Sequence, residues 1–279
     1  MKLGIFAKTF EGKDAETVLS AARSAGYQAV QYNMACSGLG SLPAAISEAD
    51  AATVRAASEA AGISIAAVSA TYNMIHPNPQ EREIGRRSFH AIAAAAGQMG
   101  TRLLTLCTGS LDPYDQWKFH PGNAGSAAWT ELCKEFDLLL SIAARYDLVL
   151  GVEPEPANVI SSAERARKLL DTFRSERVQI VFDPANLFEE VSHKQGRRLV
   201  EHAIDLLGDS IALVHAKDRR EDGQVVAVGD GALDHHHYLA LLWRSGFKGA
   251  VITHGLTAEE APRVAKFLQG QLAALEKNA

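Results

Sequence analysis

Cysteine is scarce in this chain, with only Cys36, Cys107 and Cys133 among 279 residues. The number is odd and no C-x-x-C spacing occurs, which argues against a disulfide framework or a zinc knuckle and fits a reducing, cytoplasmic setting. Long hydrophobic runs are missing as well. The N-terminal MKLGIFAKTFEGKD is too short in apolar residues for a signal-peptide core, and no window reaches the roughly 18 apolar residues that a membrane span needs. Positive charge is not in excess: 28 Lys plus Arg stand against 33 Asp plus Glu, a net charge of −5. No basic field gathers a polyanion, so neither nucleic acid nor a membrane is expected as a partner. Finally, no G-x-G-x-x-G follows the first apolar run, which removes the usual dinucleotide-binding turn.

Hydrophobic residues make up 47% of the chain, enough for a sizeable core, and their order shows how that core is built. Short apolar runs fall at residues 3–7, 28–32, 64–69, 103–107, 148–153, 178–183, 211–215 and 250–253. Between them lie amphipathic stretches at 15–24, 44–61, 82–98, 127–145, 163–173, 197–207, 235–244 and 261–276. Glycines 26, 62, 100 and 246 stand where a left-handed residue ends a helix, and Asp234 stands where a side chain caps the next one. Eight strands, each followed by a helix and with no linker, predict one domain over residues 1–279, an α/β (β/α)₈ barrel. An open doubly wound sheet is the competing architecture.

In such barrels chemistry gathers at the C-terminal strand ends. The fifth run closes with Glu153-Pro154-Glu155-Pro156, the sixth with Phe182-Asp183-Pro184, the seventh with His215-Ala216-Lys217-Asp218 and the eighth with Thr253-His254. Glu153, Asp183, His215 and His254 each lie about one strand-and-helix unit apart and continue rows of alternate residues, so their side chains converge. Carboxylate and imidazole together suit Mn²⁺ first, then Zn²⁺, Co²⁺ or Fe²⁺; Mg²⁺ prefers oxygen alone. Taken singly, each of the four could instead form a salt bridge or a helix cap; the alignment of four strand ends favours the metal.

These motifs, with Phe182-Asp183-Pro184-Ala185-Asn186 and Gly229-Asp230-Gly231, resemble those of the sugar phosphate isomerase/epimerase family, the xylose isomerase-like TIM barrels. The resemblance spans nearly the whole chain. It implies that Glu153, Asp183 and His215 ligate one divalent metal on which a sugar's neighbouring oxygens sit while protons move between carbons. It also implies a departure: the family's final glutamate is His254 here, which keeps a fourth ligand and loses a carboxylate base. Barrels of this resemblance often pair through their helices and loops, so a homo-oligomer is an expectation.

A base near a metal-polarised carbonyl would take the proton, with Glu153, Glu155, Lys217 and His254 as candidates. Glu155 either points into the mouth or is a solvated loop carboxylate. Lys217 either stabilises a developing oxyanion or pairs with Asp183 or Glu155. Asp218 faces the other way and is expected to orient a loop. Substrate contacts are expected from His76, from Trp117 and His120 on the long loop after the fourth strand, and from Asn186, whose alternative is a helix cap. Trp117 either stacks on a sugar or pins its loop to a helix. The Gly229-Asp230-Gly231 turn could cradle a phosphate, but Asp230 repels one, so a non-phosphorylated sugar, keto-sugar or inositol-like polyol is expected. The triplet His235-His236-His237 is expected to be a solvated helix start.

The expected activity is isomerisation or epimerisation, with a metal-dependent lyase or dehydratase as the alternative. An endonuclease IV-like repair enzyme needs more histidines, one of them where Asn186 stands, and a basic surface. A metal-free sugar-binding barrel is the remaining alternative.

Overall fold

The computed structural model describes residues 1–187 and 192–277. Strands β1 (Lys2–Phe6), β2 (Ala29–Tyr32), β3 (Ser64–Ser69), β4 (Leu103–Leu106), β5 (Val149–Val152), β6 (Val178–Phe182) and β7 (Ile211–Ala216) pair in parallel with their neighbours in that order. Two further short strands, β8 (Asp218–Arg219) and β9 (Val225–Val226), form an antiparallel hairpin, and β10 (Ala250–Thr253) closes the barrel between β7 and β1. Helices α1 (Ala15–Ser24), α2 (Glu48–Ala61), α3 (Pro79–Met99), α4 (Ser126–Arg145), α5 (Ala163–Phe173), α6 (His193–Leu207), α7 (His235–Arg244) and α8 (Ala261–Lys277) follow the barrel strands in turn. Among the described residues no helix is long and apolar enough to cross a membrane.

The expected elements are all present, and the differences lie at their ends. Helix α2 starts at Glu48 rather than 44 because Ser47 and Asp50 form a capping box. Helix α3 starts at Pro79, which at the first turn loses no hydrogen bond, with Asn78 capping Gln80 N. Helix α6 gains its first turn from Ser192 and Gln195. The glycine stops at 26, 62, 100 and 246 all have positive φ, and Asp234 accepts from His237 N as expected. The hairpin β8–β9 was not anticipated, since two-residue strands carry no periodicity to read.

Alternation along each strand builds two cores. Outward residues such as Val30, Val68, Leu104, Ile180 and Val251 join the helices' apolar faces in the larger one. Inward residues Ala29, Ala67, Val181, Leu213, Ala250 and Ile252 plug the barrel, with Phe6 and Leu103 against them. This inner plug has no spare room. A methyl on Gly4 would meet the Ile252 side chain and come within 2.8 Å of the Ala29 carbonyl oxygen, a backbone atom that cannot step aside. Gly4→Ala should therefore destabilise the fold by about 1–3 kcal/mol, read as a lower urea midpoint at unchanged slope.

Candidate metal centre

Continuing the inward rows past the plug gives the site layer by layer. The first layer is polar yet buried: Gln31 on β2, Ser69 on β3, Thr105 on β4 and His215 on β7. Gln31 Nε2 donates to Ser69 Oγ (3.0 Å) and Thr105 Oγ1 (3.1 Å), which turns its Oε1 toward His215 Nε2 at 2.8 Å. An amide oxygen only accepts, so Nε2 of His215 carries the proton and Nδ1 is the nitrogen presented to the carboxylates. Nδ1 lies 3.1 Å from Glu153 Oε1 and 3.9 Å from Asp183 Oδ2.

The second layer begins where β5 and β6 end. Glu153 follows β5 and donates its N–H to Leu106 O (2.8 Å), extending the sheet by one bond. Asp183 caps a 3₁₀ turn over Pro184–Asn186, its Oδ1 accepting from Ala185 N at 2.9 Å. That leaves Asp183 Oδ2, on which Lys217 Nζ (3.0 Å) and His254 Nε2 (3.2 Å) converge. The His215 and His254 rings stand edge to face, 4.5 Å between centroids. Asn186 ties both charge signs together: Nδ2 donates to Glu153 Oε1 (3.1 Å) and Pro154 O (3.3 Å), and Oδ1 accepts from Lys217 Nζ at 2.6 Å. It is 4% exposed, and its amide spans Glu153 and Lys217 rather than capping a helix.

The electrostatics follow from this crowding. Burial pushes the Asp183 carboxyl up, but Lys217 and the two imidazoles outweigh it and hold the group far below the usual carboxylate range. Burial likewise opposes the charged forms of Glu153, His215 and Lys217. The His215 ring outweighs it at Glu153, lowering that pKa, and the carboxylates outweigh it at His215 and Lys217, raising both. His254 moves the other way, lowered by burial and by the neighbouring His215 charge. Glu155 is pushed up to about 8 by burial and then by the Glu153 charge, against the pull of Lys217.

The donor set fits a divalent cation. One ligand atom from each of Glu153, Asp183, His215 and His254 can be chosen so that all lie within 4.8 Å of one another. Ligands roughly 2.0–2.2 Å from a shared ion can be at most about twice that distance apart. The four groups thus need only small shifts to close on one ion, and carboxylate and imidazole are donors of the right type.

The remaining expected residues separate into two groups. Glu155 turns toward the site: a carboxylate oxygen clusters within 4.8 Å of Cys107 Sγ and a Glu153 oxygen. His76, Trp117 and His120 lie on the surrounding loops. His76 spends both ring nitrogens on backbone, Nε2 against Pro113 O (3.1 Å) and Nδ1 accepting from Asn78 N (3.1 Å). His120 accepts from Gly122 N at 3.1 Å and starts a short turn, while Trp117 is half exposed. Asp218 does orient a loop, accepting from Gly229 N, Gly231 N and Leu233 N. The Gly229–Gly231 turn therefore has no free donors there for a phosphate, and its Asp230 pairs with Arg263 at 2.6 Å. The histidine triplet is a correction: His235 is only 3% exposed and its Nε2 meets Asp218 Oδ2 at 3.1 Å, because the same carboxylate that gathers the turn also seats the helix start. Gln31 was not singled out from sequence. The available signal was a glutamine on the inward row of an otherwise apolar strand.

One dication per chain should bind, and Gln31→Leu should weaken it roughly 10- to 100-fold by freeing the His215 ring. Competition with a chromophoric chelator, with circular dichroism as the control for folding, measures both.

Comparison with known proteins agrees with this architecture. Among curated protein sequences none matches the chain. The 3-keto-D-glucoside 4-epimerase of E. coli superposes with a TM-score of 0.74 at 18% identity over 99% of each chain. A mannonate dehydratase from Streptococcus suis serotype 2 gives 0.76 at 14% identity, over 100% of this chain and 94% of the other. The zinc-bound IOLI protein gives 0.69 at 19% identity over 99% of each. At these identities the likeness speaks for the fold. The family model described as xylose isomerase-like TIM barrel matches residues 19–272, and the chain belongs to that family.

Proposed function

We propose that this protein is a divalent-metal-dependent isomerase or epimerase acting on a non-phosphorylated sugar, keto-sugar or inositol-like polyol. The observation that carries the reading is the four-residue ligand cluster at the barrel rim with Lys217, Asn186 and Glu155 packed around it. Several solved neighbours are named for such chemistry, including the 3-keto-D-glucoside 4-epimerase and a D-allulose 3-epimerase complexed with D-allulose. Zinc in the IOLI protein supports a divalent ion. Mn²⁺ heads the candidates, and two imidazoles among four ligands make Zn²⁺, Co²⁺ and Fe²⁺ its competitors.

When bound, the cation would polarise a substrate carbonyl and acidify the C–H beside it. The protein's own groups then divide the work. Glu153, Asp183, His215 and His254 would be occupied as ligands, which leaves Glu155 as the carboxyl group free to carry a proton from one carbon to its neighbour, acting as base in the form that prevails above its pKa of about 8. Lys217 is the positive group not needed to balance the ligand carboxylates, and its ammonium would stabilise negative charge growing on the carbonyl oxygen. Asn186 would hold Lys217 and Glu153 at a fixed separation while that charge moves. A non-phosphorylated substrate is favoured because the Gly229–Gly231 donors already serve Asp218.

The same arrangement favours one second reading. A single free carboxylate beside a lysine suffices for elimination of water or an alcohol β to a carbonyl, and the mannonate dehydratase neighbour is named for an elimination. Proton NMR in deuterated water on aldoses, ketoses, inososes and 3-keto-glycosides separates the two, since elimination forms an alkene or diketone and isomerisation exchanges one C–H. Glu155→Gln should lower kcat by roughly 10²- to 10⁴-fold while retaining the metal. Turnover untouched by that substitution, or a chelated protein as active as the metal-loaded one, would refute the assignment.

A further inference from the structure

Lys217 differs from the other side chains gathered around Asp183. Its ammonium lies 3.0 Å from Asp183 Oδ2 and 2.6 Å from Asn186 Oδ1, with lysine and aspartate both buried. Asp183 Oδ1 already accepts from Ala185 N at 2.9 Å. The oxygen left to face the imidazoles is therefore Oδ2, 3.2 Å from His254 Nε2 and 3.9 Å from His215 Nδ1. The Asp183 atom best placed to ligate an ion is thus the atom that Lys217 holds, in surroundings where charges are weakly screened.

These neighbours are unequal beside a dication. An imidazole has a ring nitrogen that can present a lone pair, so His215 and His254 can join an ion as ligands. An ammonium has three donors and no lone pair, so Lys217 either stays on Asp183 as a like charge or withdraws. Charge counting favours withdrawal. Glu153 and Asp183 bring one negative charge each, which a dication balances by itself, and the ammonium is then in surplus at the carboxylate it neutralises here. Withdrawal does not strand it, because Asn186 Oδ1 is an anchor that does not depend on Asp183.

We infer that Lys217 competes with the metal ion for Asp183, so that loading the centre and freeing the ammonium are one event. The inference rests on the reading of the rim cluster as a divalent-metal centre and adds a regulation to it. Lys217 lowers the ion affinity of the centre, and the ammonium assigned to the carbonyl oxygen is released for the substrate only when the ion is held. Substrate binding therefore follows ion binding. A lysine that merely braced Asp183 would do the opposite, since its loss would misplace a ligand and weaken the hold on the ion.

Competition with a chromophoric chelator, at one fixed pH and with Mn²⁺ and Zn²⁺ as probes, compares the wild type with Lys217→Met and Lys217→Arg. Methionine keeps an unbranched stem and drops the charge, whereas arginine keeps the charge. Lys217→Met should hold each ion roughly 10- to 100-fold more tightly than the wild type, and Lys217→Arg should not gain. In crystals of the Zn²⁺-loaded wild type, Nζ should lie more than about 3.5 Å from Asp183 Oδ2 while still meeting Asn186 Oδ1. That structure decides the question even if Lys217→Met fails to fold, as circular dichroism would show. Affinity unchanged or lowered in folded Lys217→Met, an equal gain in Lys217→Arg, or a loaded crystal with Nζ still on Oδ2 overturns the competition and leaves the metal centre standing. No ion held by the wild type or by either variant rejects the centre as well.

Discussion

The centre of this protein depends on one buried oxygen, Asp183 Oδ2. A carboxylate this deep in a barrel mouth is tolerated only if positive groups surround it, because its lost hydration must be replaced. Lys217 and His254 meet it directly and His215 stands behind, delivered by β7 and by the end of β10. Asp183 itself follows β6, and no two of β6, β7 and β10 are joined by a short connection, so the cluster exists only once these three strands lie side by side. Lys217, the two imidazoles and the carboxylates hold one another in place, and the same convergence brings the four candidate ligand groups close enough to share an ion.

Beneath that cluster the layers form a chain of orientation. Ser69 and Thr105 set which end of the Gln31 amide faces His215, and Gln31 sets which ring nitrogen faces the carboxylates. Asn186 performs the corresponding task from the other side, holding Glu153 with one end and Lys217 with the other. Outside the barrel Asp218 organises a separate unit, collecting the 229–233 turn and the first residue of α7. The rim cluster and the loop thus rest on different carboxylates, Asp183 and Asp218, although only Lys217 separates Asp218 from the His215-Ala216 end of β7.

Much of this was readable in order along the chain. The βα rhythm, the glycine stops and the polar residues at four successive strand ends are local features, and the structure keeps them in their expected places. What escaped were residues whose role needs a distant partner. Gln31 looks like any polar residue on a short strand until Ser69, Thr105 and His215 are beside it. His235 looks solvated within a histidine triplet until the Asp218 carboxylate is seen to reach it. Helices α3 and α6 start at Pro79 and His193, a few residues before the expected positions, because caps extend a helix beyond its apolar stripe, whereas the Ser47–Asp50 capping box starts α2 later than expected, at Glu48.

By itself the amino-acid order determined the alternation of strands and helices, and therefore which side chains could face inward at the rim. Those properties follow from backbone geometry, in which period and punctuation act over a few residues. Only the tertiary structure decided which nitrogen of His215 is offered, which oxygen of Asp183 meets Lys217 and His254, and that the Asp218 carboxylate reaches His235. Such choices arise from contacts between residues tens to nearly two hundred positions apart, and they take effect only when β10 closes against β1 and brings every strand end to one rim.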